Sequence, residues 1–247
     1  MNFADGGIML KIINILNTSR KDFTELMREP KYAALVHRKM KLIIELGLSK
    51  QIDTKQIYLL ERAGSDEILP ELRQFLASLN MDWCELKRGG AFSQFPVSEA
   101  ESHLRDLQDG EAVLLTDFVT TDYCGYAWIN AANEYYIEAK KGGFYSFWEG
   151  RSIPTHYSIS GNGQLRLASE HASDSYYSYN PVCKKWEKKN DPDPETVRLS
   201  EAERTEILDI MKAINKLYYN ARVAWIKSGS RIVIFDIWIM YSQGILE

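Results

Sequence analysis

A carboxylate lies inside the most apolar strand that the sequence predicts, over residues 231–241. Alternation with a period of two places Asp236 on the same face as Ile232 and Ile234. Trp238 follows on that face. A lone buried carboxylate is costly, so Asp236 should meet a cation or hydrogen-bond donors. It could bind Mg²⁺, which prefers one or two carboxylates together with phosphate oxygens, or it could form a structural salt bridge or lie exposed at a sheet edge.

Two adjacent cations precede a glycine pair at the end of another predicted strand. Lys87 and Arg88 are followed by Gly89 and Gly90. A lysine and an arginine on a flexible backbone can clamp phosphate, the first as a point charge and the second as a planar fork. Because side chains alternate along a strand, only one of the two can face a given cleft. A basic turn on a solvated surface explains these residues equally well.

A second carboxylate, Glu138, lies in a predicted strand that carries Tyr136, Glu138 and Lys140 on one face. The residues alone slightly favour an exposed pair of Glu138 with Lys140. The four histidines and three cysteines are scattered, without the spacing of a zinc site, a disulfide framework or a nucleophile–histidine pair.

The elements that must position these residues are short strands interrupted by helices. Two capping boxes, Ser98 with Glu101 and Ser200 with Glu203, predict helix starts. The second precedes an apolar stripe of helical spacing that ends near residue 219. Because strands and helices do not alternate regularly, we expect an α+β fold. The predicted strands cover residues 11–16, 56–60, 83–87, 112–119, 123–130, 134–140, 223–227 and 231–241.

The composition restricts the class of partner. The 247 residues contain 30 Lys and Arg against 34 Asp and Glu, a net charge of −4, which argues against nucleic acid or an anionic membrane surface as the main partner. The longest apolar runs are shorter than the roughly 20 residues that span a bilayer. The N-terminus lacks the pattern of an export signal. We therefore expect a cytoplasmic protein that does not contact membranes.

The order of elements from residue 83 to residue 241 resembles the ATP-grasp nucleotide-binding domain of phosphoenolpyruvate synthase and pyruvate phosphate dikinase. The resemblance depends on order and spacing more than on identities. The segments that carry it are VLLTDFV (113–119) for the hinge strand, CGYAWI (124–129) for the small-residue hairpin, IEAKKGGFYSFWEG (137–150) for the acidic strand and glycine loop, IPTHYSISGNG (153–163) for the Pro-x-x-Tyr segment, residues 199–219 for the long helix and residues 223–238 for the final hairpin.

The resemblance implies an ATP-grasp-like fold with two small lobes around a nucleotide cleft, and it implies ATP and Mg²⁺ as ligands. It divides the chain into an N-terminal α/β segment, 1–82, and a nucleotide-binding unit, 83–247.

The resemblance also implies roles for single residues. The main chain of Asp117, Phe118 and Val119 would contact the adenine edge. Lys87 or Arg88 would contact phosphate, with Glu138 close to the nucleotide. Asp236 would bind the metal.

Departures from the family leave two functions open. Ala224 stands where the family has a metal-binding Glu, and Asp236 and Trp238 stand where it has Gln and Arg. The early pair Gly6 and Gly7 does not make a convincing phosphate loop. The chain is either an ATP-binding component of a phosphotransferase or ligase, or a catalytically degenerate relative that acts as a regulatory or protein-interaction module. In the second case the aromatic and lysine-rich segment 174–189 would contact a protein partner.

Overall fold

Antiparallel strands form two large sheets and a separate hairpin in the computed structural model. The chain divides into two units, residues 1–44 with 55–119 (unit 1) and residues 45–54 with 120–247 (unit 2). Gly6 and Gly7 lie outside the described residues. The residues that the structure describes are 10–49, 52, 54–63, 68–130, 132–148, 153–192, 194, 196–218, 220–241 and 244–245.

Unit 1 contains a five-stranded antiparallel sheet in the order β1-β2-β5-β3-β4. Its strands are β1 (Leu10–Asn14), β2 (Ile57–Arg62), β3 (Trp83–Arg88), β4 (Ala91–Pro96) and β5 (Ala112–Asp117). The helices that begin in this part of the chain are α1 (Arg20–Leu26), α2 (Pro30–Leu35), α3 (Arg38–Leu48), α4 (Leu69–Ser78) and α5 (Ala100–Leu104).

The core of unit 1 joins residues from both sides of the predicted boundary at residue 82. Leu72 and Phe75 of α4 are buried in one cluster with Leu86 of β3 and Leu115 of β5. β3 also pairs directly with β5, which pairs with β2. Residues 83–119 therefore belong to the same unit as β1, and unit 1 ends at Val119, apart from residues 45–54, which belong to unit 2.

Unit 2 contains a seven-stranded antiparallel sheet in the order β14-β13-β12-β6-β7-β8-β9. Its elements are β6 (Tyr123–Ile129), β7 (Tyr135–Lys141), α6 (Tyr145–Trp148), β8 (Thr155–Ile159), β9 (Leu165–Ser169), the hairpin strands β10 (Ser175–Asn180) and β11 (Lys185–Asn190), α7 (Glu201–Leu217), β12 (Ala221–Ser228), β13 (Arg231–Tyr241) and β14 (Gly244–Ile245). No helix in the described residues is long and apolar enough to cross a membrane.

One face of the seven-stranded sheet is apolar and packs against α7. Ile207, Met211 and Ile214 of this helix are buried. The α7 side chain Arg204 lies 5.3 Å from the ring of Tyr157 on β8. On the same face Trp225 is fully buried over Gly125, where a Cβ atom would lie 2.4 Å from the indole ring. A glycine is therefore required beneath Trp225.

A bulge in the final hairpin changes the neighbours of Asp236. Ala224 lies opposite Asp236, but the next residue of β12, Trp225, lies opposite Ile234, so β13 has one extra residue here. Because adjacent residues of β12 point to opposite faces, Asp236 and Ile234 do too. The prediction that Asp236 shares a face with Ile232 and Ile234 is wrong, whereas the shared face with Trp238 is confirmed.

The two predicted capping boxes have different outcomes. The Ser200 side chain accepts from the Glu203 N–H and the Glu203 side chain accepts from the Ser200 N–H, so the second box caps α7. At the first, Val97–Glu99 forms a 3₁₀ turn and α5 begins at Ala100 without a side-chain cap. Strands β4, β8, β9, β10, β11 and β14 were not predicted.

The difference between the two predicted capping boxes can be tested by substituting each serine. We expect Ser200→Ala to lower the free energy of unfolding by about 1 kcal/mol, because the Glu203 N–H at the start of α7 loses its partner. Ser98→Ala is the matched control, and we expect it to change stability by less than about 0.5 kcal/mol. Urea unfolding measures both variants. Equal losses would contradict the assignment.

Candidate active site

The face of the seven-stranded sheet opposite α7 carries polar and aromatic side chains. The cross-strand pairs of β12 with β13 and β6, of β6 with β7, and of β7 with β8 place these residues on one side. All are half-buried. We call this surface the polar face, and its residues are Tyr126, Trp128, Tyr136, Glu138, His156, Arg222, Asp236 and Trp238.

The polar face arises because its strands alternate between two environments. In β6, half-buried Tyr126 and Trp128 alternate with buried Ala127 and Ile129. β7 repeats the pattern as far as Glu138, and its pairing with β6 places the buried Lys140 on the same side, so the predicted common face of Tyr136, Glu138 and Lys140 is confirmed. The alternation in β6 was visible in the sequence as a signal for the two rings. Arg222 had no such local signal, because its neighbours come from distant parts of the chain.

Asp236 and Glu138 lie in one row across the sheet but not at one point. The row runs from Asp236 through Ala224 and Tyr126 to Glu138 and His156. Three inter-strand spacings, about 14 Å, separate the backbone positions of the two carboxylates, so they cannot share one metal ion directly. Among the described residues, no three His, Cys, Asp or Glu side chains converge as a metal site.

Arg222 lies at the centre of the polar face with its guanidinium stacked on aromatic rings. The guanidinium carbon is 4.2 Å from the ring centre of Tyr126 and 5.2 Å from that of Trp128. Its Nη2 is 3.7 Å from Oε2 of Glu138, beyond hydrogen-bond distance. Its Nε is buried and makes no hydrogen bond within the described residues. A buried donor without an acceptor is costly, and an anionic ligand would relieve that cost.

α6 covers the end of the polar face near Lys140. The Lys140 ammonium is buried, donates to the Ser146 carbonyl at 2.8 Å and lies 5.1 Å from the ring centre of Phe147. Burial lowers the pKa of Lys140. The ring of Phe147 also lies 5.0 Å from that of Tyr126. Lys140 therefore adds a buried positive group beside the row that contains Glu138.

The predicted phosphate clamp, Lys87 and Arg88, is engaged within unit 1. Lys87 is buried, donates to the Leu35 carbonyl at 2.7 Å, and has its pKa lowered by burial. Arg88 forms a forked pair with Glu111, at 2.7 and 2.8 Å. An arginine whose Nε and Nη2 are both bound by one carboxylate serves the packing of its own unit.

The main-chain N–H groups of Asp117 and Phe118, in the segment predicted to contact adenine, are also engaged within unit 1. The N–H of Asp117 donates to the Gln56 carbonyl at 3.2 Å, and that of Phe118 to the Trp83 carbonyl at 2.9 Å. These two donors extend the strand pairing of β5 on both sides. They are therefore not available to an adenine edge.

The aromatic and lysine-rich segment 174–189 folds as a hairpin against the chain next to α6. The ring of Trp186 packs on Gly143, where a Cβ atom would lie 2.2 Å from it. The Tyr145 ring is 5.7 Å from that of Trp186 and 5.9 Å from that of Tyr177. Packing of the hairpin on its own unit accounts for these rings.

A depression of about 610 Å³ in unit 1 is lined by a buried carboxylate, Glu61. Lys31 and Tyr32 hydrogen-bond to its two oxygens, and the Lys11 ammonium lies 3.6 Å from Oε2. Burial alone would raise the pKa of Glu61, but the hydrogen bonds from Lys31 and Tyr32 outweigh it, so the pKa is lowered. This satisfied cluster ties α2 to β2.

The lowered pKa predicts acid sensitivity. Above the unfolded-state pKa of about 4.3 the ionised Glu61 stabilises the fold, and the contribution is lost as the pH falls through the lower folded-state pKa. We expect Glu61→Gln to cost about 1–3 kcal/mol at pH 7, since Lys31 and Tyr32 lose a charged acceptor. Urea unfolding of both proteins between pH 7 and about pH 3 should show the cost shrinking as Glu61 protonates.

Glu25→Gln is the matched control, because Glu25 lines the same depression in an exposed pair with Arg28. It should cost less than about 1 kcal/mol. A cost for Glu61→Gln that does not change with pH would contradict the assignment.

Neither a family model nor a curated protein matches the chain. Solved structures match weakly. The D-alanyl-alanine synthetase A of Vibrio cholerae O1 biovar eltor is 10% identical, with a TM-score of 0.40, over 84% of this chain and 56% of its own. The ATP-grasp ligase PsnB complexed with minimal precursor is 8% identical, with a TM-score of 0.40, over 86% and 54%. The D-alanine–D-alanine ligase of Bacillus anthracis is 11% identical, with a TM-score of 0.39, over 87% and 60%.

These matches are ligases, not the phosphoenolpyruvate synthase or pyruvate phosphate dikinase that the sequence resembles. This chain spans little more than half the length of each. At such identities and TM-scores the similarity does not establish a family. The α+β architecture described above rests on this chain's own strands and helices.

Proposed function

We propose that the polar face binds ATP or a related purine nucleotide in the manner of an ATP-grasp protein, with Mg²⁺ as its companion ion. The observation that carries the proposal is the state of Arg222, which is stacked on two rings and whose buried Nε makes no hydrogen bond within the described residues. A guanidinium fork matches the oxygens of a phosphate with two parallel hydrogen bonds. Stacking fixes the fork in place before the ligand arrives.

Asp236 would bind Mg²⁺ only together with phosphate oxygens. Its carboxylate is half-buried on the polar face, and Oδ1 accepts a hydrogen bond from the Ile237 N–H at 2.8 Å. Directly opposite, Ala224 contributes no ligand. Mg²⁺ is often held by one or two carboxylates, phosphate oxygens and water, so the carboxylate of Asp236 would be the ligand that the protein supplies. The bound ion would neutralise phosphate charge.

The proposed reaction class is phosphoryl transfer or ATP-dependent ligation. In such reactions the protein mainly positions the phosphates and neutralises their charge. Arg222 and Asp236 would do this, with Glu138 beside Arg222. Ala224 favours the alternative of nucleotide binding without catalysis, as a regulatory module with a protein partner. Turnover of bound ATP separates the two.

The contacts proposed for unit 1 stay predictions. For Lys87 to contact phosphate, its ammonium would have to exchange the Leu35 carbonyl for a phosphate oxygen. Arg88 would have to leave Glu111. The main chain from Asp117 to Val119 would have to contact adenine without the N–H groups of Asp117 and Phe118.

We expect Arg222→Lys to weaken ATP binding about tenfold or more, because a lysine keeps the charge but not the fork, a loss of about 1.5–3 kcal/mol. Calorimetric titration with Mg·ATP measures the dissociation constant. Arg198→Lys is the matched control, since Arg198 forms an exposed pair with Glu170 in the same unit. A wild-type protein that no nucleotide stabilises against heat would overturn the proposal, because ligand at 100 times its dissociation constant should add about 2.7 kcal/mol.

Asp236→Asn separates a metal ligand from a structural ion pair. As a metal ligand, Asp236 can lose its charge with a change in apo stability of less than about 1 kcal/mol, while the part of ATP binding that depends on Mg²⁺ is lost. As a buried ion-pair partner, its loss should cost about 3–5 kcal/mol. Urea unfolding and titrations with ATP in Mg²⁺ and in EDTA distinguish the two. We expect the first result.

A further inference from the structure

The second row of the polar face is a stack of planar groups. Arg222, Trp128 and Tyr136 are consecutive cross-strand neighbours on β12, β6 and β7. The rings of Trp128 and Tyr136 are 5.4 Å apart and within 17° of parallel. His156 lies 5.5 Å from Tyr136. In the same row Tyr136 is followed by the small Ser158 and then by Leu167, a residue that is 55% exposed.

Hydrogen bonds hold the Tyr136 ring in this position. Its hydroxyl donates to Glu134 at 3.0 Å and accepts from the Asn130 amide at 3.1 Å. The Asn130 amide also donates to Glu134, and Glu134 pairs with Arg166. An aromatic ring fixed in advance stacks on a planar ligand without first losing rotamer freedom.

The polar groups around the stack are poorly suited to distinguish one base from another by hydrogen bonding. Asn130, Glu134 and Arg166 are engaged with one another and with Tyr136. His156 is on the face, but an imidazole can donate or accept with either nitrogen according to its tautomer. Stacking itself tolerates any base, because every base has a π face.

We propose that the Trp128–Tyr136 stack binds the nucleotide base and does so without selecting it, so the site takes nucleoside triphosphates as a class. This inference rests on the proposed binding of phosphate at Arg222. It places base recognition on the polar face by stacking, instead of on hydrogen bonds from the segment 117–119. The base and the phosphates would occupy neighbouring parts of one row.

The experiment compares the dissociation constants of ATP, GTP and inorganic tripolyphosphate for the full chain by calorimetric titration. We expect ATP and GTP to bind within about threefold of each other, and tripolyphosphate at least about tenfold more weakly, since base stacking contributes a tenfold or larger gain. Tyr136→Leu should weaken both nucleotides about tenfold while leaving tripolyphosphate binding unchanged. Tyr176→Leu, in the hairpin, is the matched control.

The outcomes separate this inference from the proposed function. Tripolyphosphate binding that depends on Arg222, together with nucleotide binding that Tyr136→Leu does not change, would overturn the base site and leave the phosphate site standing. Discrimination between ATP and GTP by more than about tenfold would overturn the lack of selectivity, because it requires hydrogen-bond readout. If the wild-type chain binds none of the three ligands, both proposals fail.

Discussion

The polar face depends on the burial of the opposite face of the same sheet under α7. Because side chains alternate along each strand, every apolar residue that α7 covers fixes the direction of its polar neighbour. Ala127 and Ile137 point into the core, so Trp128 and Tyr136 must point away from it. A slip of one residue in register would bury the charges and expose the core, and the apolar packing excludes it. The buried apolar face of this sheet therefore determines where the polar side chains of unit 2 lie.

The bulge between Ala224 and Trp225 interrupts this rule in the final hairpin. Without the extra residue in β13, Asp236 would share the face of Ile232 and Ile234, both buried, and would need a charged partner there. With it, Asp236 lies half-buried across from Ala224. The small side chain of Ala224 contributes no charge or ligand of its own. The positively charged residue nearest to Ala224 in the chain is Arg222, two residues before it.

Charged side chains in the two units show that residue type does not determine whether a side chain is available to bind a ligand. Arg88 and Arg222 are both arginines on strands, yet Glu111 accepts from Nε and Nη2 of Arg88, whereas Arg222 is held by aromatic rings that accept no conventional hydrogen bond. Stacking immobilises a guanidinium and leaves its donors unused, and a carboxylate partner uses them. Lys87 and Lys140 are both buried, and both donate to main-chain carbonyls. Only Lys140 lies beside the polar face.

The sequence alone determined the elements whose signals are local: the capped helix α7, the final hairpin and the common face of Tyr136 and Glu138. These follow from periods of 3.6 and 2 and from side chains a few residues apart. Only the tertiary structure decided that Arg88 belongs to Glu111, that a bulge moves Asp236, and that Arg222 meets Tyr126 and Trp128. Each depends on strands that are distant in the chain, and one inserted residue or one nearby carboxylate changes the outcome. Pairing across a sheet is a long-range property, and no local pattern encodes it.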